Sequence, residues 1–410
     1  MRFFTSTCSN TVKSSVRWIT VVFIFLFGAS TLDFHHPSWA ILSLGLFSIP
    51  ILSQFLRYSL FRYGSIWFGI FLVIQALVSP SVLNNDYKTL IPNDHFIMTV
   101  KEGLPGIQGP QETTTDQMGF KTTKPINYRD NSTFRVFAIG GSTTQQPNVG
   151  NKKTWPHWLQ ELLQSQQNPN IEVINTGVSG LRARHHLATL RKIIKYHPDM
   201  AIFLVGLNDW NWHIKEHFTP EEERISEWTQ NFQLRSTMLG ELIRSLKNPK
   251  RRNPPVGRTL ENHGEYYSMQ RGSLSKVKQF QFRPETVHFQ YREFLEEIHM
   301  TCRNTHLDCV FVTQPTGYQK EASKEFQAGF WMTPPNKDYT LDFQSMIHIA
   351  SLYNRYLIEF SKRNKYRYCD IASQLEPSYD YFIDDCHFNE KGSLRVAELL
   401  FTCLNANPQR

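Results

Sequence analysis

The sequence predicts an α/β fold built on a parallel sheet, with a membrane segment ahead of it. Three observations lead there. Beyond about residue 130, short β-rich runs alternate with amphipathic stretches, the order in which a parallel sheet and its crossover helices are threaded. Those runs are apolar almost throughout rather than at every second position, as strands covered on both faces are. Almost all the long apolar runs fall before residue 82, although the mean hydropathy of −0.39 is that of a soluble protein.

The membrane segment comes first. Three apolar stretches run roughly from Trp18 to Leu32, Trp39 to Leu56 and Tyr63 to Ser79, with no acid or base in their centres. Each is near the length needed to cross a hydrocarbon core with some tilt. Arg2, Lys13 and Arg17 precede the first, and Arg57 and Arg62 separate the second from the third. The connection from Asp33 to Ser38 carries no Lys or Arg. The positive-inside bias then puts the N-terminus in the cytoplasm and everything after Val82 outside, in the periplasm or beyond the cell. Two other readings compete. The first stretch can serve as a cleaved signal peptide, with Ser38, Trp39 and Ala40 as a poor cleavage site. The second, which holds Pro50, Ser53 and Gln54, can lie on the surface instead of spanning.

Residues 1–82 are therefore expected to form a membrane region of about three helices, 83–133 a Pro- and Gly-rich connector, and 134–405 the main domain. Within that domain the strands are expected at Arg135 to Ile139, Glu172 to Asn175, Ala201 to Val205, Cys309 to Thr313 and Tyr368 to Ile371. Apolar residues at three- and four-residue spacing predict helices over Trp155 to Gln166, Arg184 to Tyr196, Phe289 to Arg303, Met346 to Arg363 and Leu394 to Leu404. A long charged stretch at about 210–282, with a short helix near Thr237 to Leu246, reads as an insertion. Segments of that length in compact domains are usually functional covers or excursions, so a lid over the site and a plain insertion both stand.

Composition excludes several classes. Thirty Phe, sixteen Tyr and nine Trp with a charged fraction of 20% are those of a folded chain. The net charge of +8 is scattered, and no nucleic-acid-binding motif accompanies it. Its densest cluster, Lys247, Lys250, Arg251 and Arg252, reads as a solvated loop ahead of the alternative of contact with anionic lipid or polymer. Six cysteines show no C-x-x-C spacing, so neither a metal nor another cofactor is expected. Cys8 lies across the membrane from the rest. Cys302, Cys309, Cys369, Cys386 and Cys403 are free to pair in an oxidising compartment, in a pattern the sequence does not assign.

The chemistry is sought where an open parallel sheet binds ligands, beyond the carboxyl ends of its strands. The turns leaving the first three strands read Gly140-Gly141-Ser142-Thr143-Thr144, Thr176-Gly177-Val178-Ser179-Gly180 and Gly206-Leu207-Asn208-Asp209. The last strand region leads to Asp384-Asp385-Cys386-His387. A serine hydroxyl becomes a nucleophile when an imidazole takes its proton, and a carboxylate fixes that imidazole and stabilises its cation. Ser142, His387 and Asp384 are of the right types. The oxyanion formed on attack needs fixed donors, which the Ser142 and Gly180 N–H groups and the Asn208 amide can supply. Each signal alone is weak, and their order and placement carry the joint reading. Cys386 is a weaker candidate nucleophile. His185, His186, Arg182, Arg184, Gln314 and Pro315 are candidate pocket residues, and Phe330 and Trp331 a candidate sugar-stacking wall.

These four segments resemble the conserved blocks of the SGNH, or GDSL, hydrolase superfamily. Ser142 matches the serine of the first block, Gly180 the glycine of the second, Asn208 the asparagine of the third, and Asp384 with His387 the last. The resemblance spans about Phe134 to Leu404. It implies a flavodoxin-like three-layer α/β/α domain on a five-stranded parallel sheet, and hydrolysis or transfer of acyl esters through an acyl-serine. Gly141 stands where the family often has Asp. Gly119-Phe120, the Gly-Gly-Ser-Thr-Thr turn and His387-Phe388-Asn389-Glu390-Lys391-Gly392 look like bacterial membrane-bound members linked to envelope polysaccharides. The expectation is an extracytoplasmic esterase removing short acyl groups such as acetyl from a glycan. An O-acyltransferase with the same triad, and a catalytically idle glycan-binding protein, are the alternatives.

Overall fold

The computed structural model describes residues 86–99, 104–130, 132–166, 168–218, 258–260, 269–331 and 338–406. The three expected membrane stretches and the expected helix near Thr237 to Leu246 lie outside them. Among the described residues no helix is long and apolar enough to cross a membrane. The described residues belong to one compact unit.

In chain order the elements are β1 (His95–Thr99), β2 (Pro110–Thr114), β3 (Phe134–Gly140), α1 (Ser142–Gln145), α2 (Trp155–Gln166), β4 (Ile171–Asn175), α3 (Ala183–Ile193), β5 (Met200–Leu204), α4 (Leu207–Phe218), β6 (Arg258–Leu260), β7 (Lys278–Phe280), α5 (Phe289–Thr305), β8 (Asp308–Val312), α6 (Lys324–Gln327), β9 (Tyr339–Leu341), α7 (Phe343–Arg363), β10 (Arg367–Cys369) and α8 (Glu390–Ala406). The five strands expected from the sequence form one sheet in the order β10-β8-β5-β3-β4, and every pairing in it is parallel. Numbered by their own succession, that is the order 2-1-3-4-5 of flavodoxin-like sheets, whose switch point lies between the first and third strands, here β3 and β5.

The central strands are buried because their sequences are mostly apolar, with Arg135 of β3 as a buried exception. All five residues of β5 are buried, and Val136, Phe137, Ala138 and Ile139 of β3 are at most 1% exposed. Phe203 and Phe311 stack across neighbouring strands with ring centroids 5.2 Å apart. Helices α2 and α8 pack on each other, as do α3 and α5. Right-handed crossovers put α2 and α8 on one face of the sheet and α3, α5 and α7 on the other. Two disulfides brace this frame: Cys302–Cys309 joins α5 to β8, and Cys369–Cys403 joins β10 to α8.

Two expectations need correction. The stretch read as a connector is a structured part of the domain: β1 and β2 pair antiparallel, and β6 adds to β1 in parallel. Its strands are short, and β2 is polar (PQETT) while β1 (HFIMT) has only three apolar residues, so they lack the sustained apolar signal of the central sheet. Lys121 fastens this region to the sheet. Its N–H donates to the Asn175 carbonyl at 3.0 Å, and its buried ammonium donates to the Gln146 and Val149 carbonyls at 3.1 and 2.9 Å. The second correction concerns the start of the insertion. Leu207, Asn208 and Asp209, read as part of the turn leaving the third strand, open α4, which runs on through Trp210 to Phe218. An acid in the first helical turn is favourable beside the unpaired N–H groups there.

Candidate active site

Ser142 is the first residue of α1, directly beyond β3, and α4 starts directly beyond β5. Nucleophile turn and amide turn thus flank the switch point of the sheet. As the first helical residue, Ser142 has an N–H with no acceptor inside the helix. Asp384 and His387 lie in the segment between β10 and α8, at the far edge of the sheet. That segment is led back over the strand ends by Asp385, whose carbonyl accepts from the Gly317 N–H at 2.7 Å and whose carboxylate accepts from the Tyr318 hydroxyl.

The structure brings the three expected residues together. His387 Nε2 lies 2.8 Å from Ser142 Oγ, and His387 Nδ1 lies 2.8 Å from Asp384 Oδ2. The other carboxylate oxygen, Oδ1, accepts from the backbone N–H groups of Cys386 and His387 at 2.9 and 2.8 Å. All three side chains are buried: Ser142 is 7%, His387 5% and Asp384 1% exposed. Burial alone would lift the Asp384 pKa, but His387 and the surrounding hydrogen bonds bring it below the usual carboxylate value. For His387 burial acts downward, and the carboxylates of Asp384 and then Asp385 outweigh it and raise the pKa.

Asn208 and Gly180 are placed differently from each other. The Asn208 side-chain nitrogen donates to the Leu181 carbonyl at 2.9 Å. A Cβ at Gly141 would come within 2.6 Å of that nitrogen, so the amide lies against the backbone that precedes Ser142. Gly180 sits at φ +76° on the open surface, a backbone conformation that side chains disfavour. The loop carrying it is held from both ends. Gln145 Oε1 accepts from the Ser179 N–H and hydroxyl at 2.6 and 2.7 Å, and the Asp209 carboxylate accepts from the Ala183 N–H at 3.0 Å.

The remaining candidates divide. His185 Nδ1 accepts from the Arg182 N–H at 3.0 Å and caps α3. Burial, then the charge of Arg184, lowers its pKa to about 2, and burial lowers that of His186 to about 3. Both are neutral structural residues. Arg182 lies over the Trp212 ring at 4.0 Å, and Arg184 pairs with Asp86. Gln314 supports the nucleophile turn, its Oε1 accepting from the Thr143 hydroxyl at 3.0 Å, while its Nε2 donates to the Pro315 carbonyl. Phe330 is 3% exposed, packed among Tyr318, Phe326 and Phe343, and so is core and not a wall. Trp331 does reach the site, through an indole N–H that donates to Asp384 Oδ2 at 2.6 Å. No sequence pattern marks that bond or the Lys121 contacts.

Cys386 is buried and unbridged, with Sγ 3.4 Å from His387 Nδ1. Burial, then Asp384 and Asp385, pushes its thiol well above the usual range, the opposite of what a cysteine nucleophile requires. Among the described residues, Asp384, Cys386 and His387 are the one group whose potential metal-donor atoms fall within 4.8 Å of one another. A metal there would need that thiol deprotonated and would take Nδ1 from Asp384, so the set does not suit an ion.

Fold and site thus define a doubly wound α/β protein with a Ser–His–Asp constellation at its switch point. The model of the GDSL-like lipase/acylhydrolase family matches residues 138–395, more than half of the chain, and the chain belongs to that family of carboxylic-ester hydrolases. No curated protein matches it in sequence. Among solved structures it is similar to the acetyl xylan esterase AlAXEase (13% identity, TM-score 0.39, covering 66% of this chain and 100% of that one). It is likewise similar to an acetyl xylan esterase from Geobacillus stearothermophilus (14%, 0.37, 68% and 97%) and to the lipase/acylhydrolase from Enterococcus faecalis (12%, 0.36, 68% and 99%).

Proposed function

We propose that this acylhydrolase is a membrane-anchored, extracytoplasmic serine esterase that removes short acyl groups, acetyl foremost, from a polysaccharide. The observation that carries the mechanism is the continuous hydrogen-bonded line from Ser142 Oγ through His387 to Asp384, 2.8 Å at each step. In this reading His387 Nε2 takes the Ser142 proton as Oγ attacks the ester carbonyl. Asp384 holds the resulting imidazolium, and the Ser142 N–H, Gly180 N–H and Asn208 amide bind the oxyanion. The imidazolium then gives its proton to the departing alcohol. Water, deprotonated by the same imidazole, attacks the acyl-serine, and the imidazolium returns that proton to Ser142 Oγ as the acyl–oxygen bond breaks and the acid leaves.

Location and substrate rest on separate support. The three apolar stretches before residue 82 favour an anchor, and the two disulfides favour an oxidising compartment. The glycan and its acetyl group rest on the motif resemblance alone. The test is hydrolysis of p-nitrophenyl acetate, butyrate and octanoate by the full-length protein in detergent, then release of acetate from acetylated polysaccharides. Acetate should be preferred, and Ser142→Ala should be inactive. Equal activity in Ser142→Ala would overturn the mechanism, and a preference for octanoate would overturn the substrate class.

A further inference from the structure

Trp331 is half-buried and contributes its indole N–H to the site from a segment that no motif marks. It donates to Oδ2 of Asp384 at 2.6 Å, the same oxygen that lies 2.8 Å from His387 Nδ1. Its ring plane is within 12° of the His387 ring, with centroids 6.0 Å apart. The neighbouring backbone is fixed from the segment at 272–276. The Leu274 N–H donates to the Phe330 carbonyl at 3.2 Å, and the Ser273 hydroxyl to the Trp331 carbonyl at 3.3 Å. Cation–π contact between Arg271 and Tyr379, 5.0 Å to the ring centre, ties this segment to the chain that leads into Asp384.

Oδ1 accepts from two backbone N–H groups and lies 3.1 Å from His387 Nδ1, while Oδ2 is the nearer oxygen to that nitrogen, at 2.8 Å, and has Trp331 as its second donor. We infer that Trp331 is a positioning residue for the triad carboxylate: it fixes the rotation of Asp384 and moderates the basicity of the oxygen that faces His387. The inference rests on the catalytic roles proposed above. A donor on Oδ2 spreads the carboxylate charge, so the imidazolium is held less tightly than a lone carboxylate would hold it. The His387 proton then remains transferable to the leaving alcohol. A wall for sugar stacking would require none of this geometry.

The test uses full-length Trp331→Phe, which keeps a ring and removes the N–H. Loss of the donor should raise the His387 titration midpoint, read by nitrogen NMR of the imidazole. It should also lower kcat on p-nitrophenyl acetate about tenfold with KM unchanged. In an Asp384→Ala background the same substitution should have no further effect on kcat, as expected for a residue acting through Asp384. An unmoved His387 midpoint, a higher KM at unchanged kcat, or an equal loss in the Asp384→Ala background would each overturn the inference. The NMR titration needs no turnover. An inactive wild type with the expected His387 shift would therefore sink the esterase reading and leave the Trp331 contact standing.

Discussion

A Cβ added to Gly141 would lie 2.6 Å from the side-chain nitrogen of Asn208. The residue before Ser142 and the amide proposed for the oxyanion are thus in direct register, and in this chain a side chain at the position that often carries Asp in the family would require the Asn208 amide to shift. Gly141→Ala should push the amide aside and lower kcat on p-nitrophenyl acetate about a hundredfold. Asn208→Ala should do much the same, and the double variant should lose little more than either, because both act on one donor. Additive losses would separate the two residues.

With His387 as the general base proposed above, its raised pKa should set the acid limb of activity. Only the neutral imidazole can take the serine proton, so activity is lost as pH falls through that pKa. The midpoint of kcat/KM should lie above about 6.5, the ordinary histidine value. Asp384→Asn leaves the downward effect of burial less opposed. It should shift the midpoint to lower pH and cut the maximal rate by about 10⁴-fold. A pH profile of both proteins on one ester decides it.

Lys121 is fully enclosed, and burial brings its pKa down to about 7. The unfolded chain keeps the lysine protonated up to about pH 10.4. Between these values the unfolded state binds more protons, so stability should rise with pH through this window. Thermal melts from pH 7 to about pH 9 should show a positive slope that Lys121→Met flattens. Toward the alkaline end of that range, where deprotonating the lysine on folding costs least, the variant should also be less stable, since the Gln146 and Val149 carbonyls lose their donor.

The Cys369–Cys403 bridge closes a separation of 34 residues that contains both Asp384 and His387. Loop-closure entropy puts its contribution at about 4 kcal/mol. Replacing both cysteines by Ser should lower unfolding free energy by roughly that amount in denaturant titrations, while kcat at low temperature stays near wild type because neither sulfur touches the site. An unchanged midpoint would show that the bridge does not form.

What the sequence makes legible follows from where physical pattern is strong. The strands at the centre of the sheet stand out because they are mostly apolar on both faces, and Trp155–Gln166 because its apolar residues recur at helical spacing; β10, Arg-Tyr-Cys at the edge, is the least marked of the five. Ser142, Asn208, Asp384 and His387 stand out because strand order carries their turns to one edge. The β1–β2 hairpin has neither signal: its strands alternate weakly and hold Gln, Glu and Thr. The contacts of Lys121 and Trp331 are tertiary. Nothing local separates Lys121 from a surface lysine or Trp331 from an ordinary core tryptophan, because their partners lie 25 and 53 residues away.

Ser142 and His387, bonded across the sheet, are 245 positions apart in the chain. Synthesis therefore supplies the nucleophile long before its base, and the carboxylate and imidazole arrive together just ahead of the last helix. A nascent chain carries an unactivated serine until that late segment has emerged and crossed back over the strand ends. The ability to cleave esters would then switch on only once that segment has closed over the sheet.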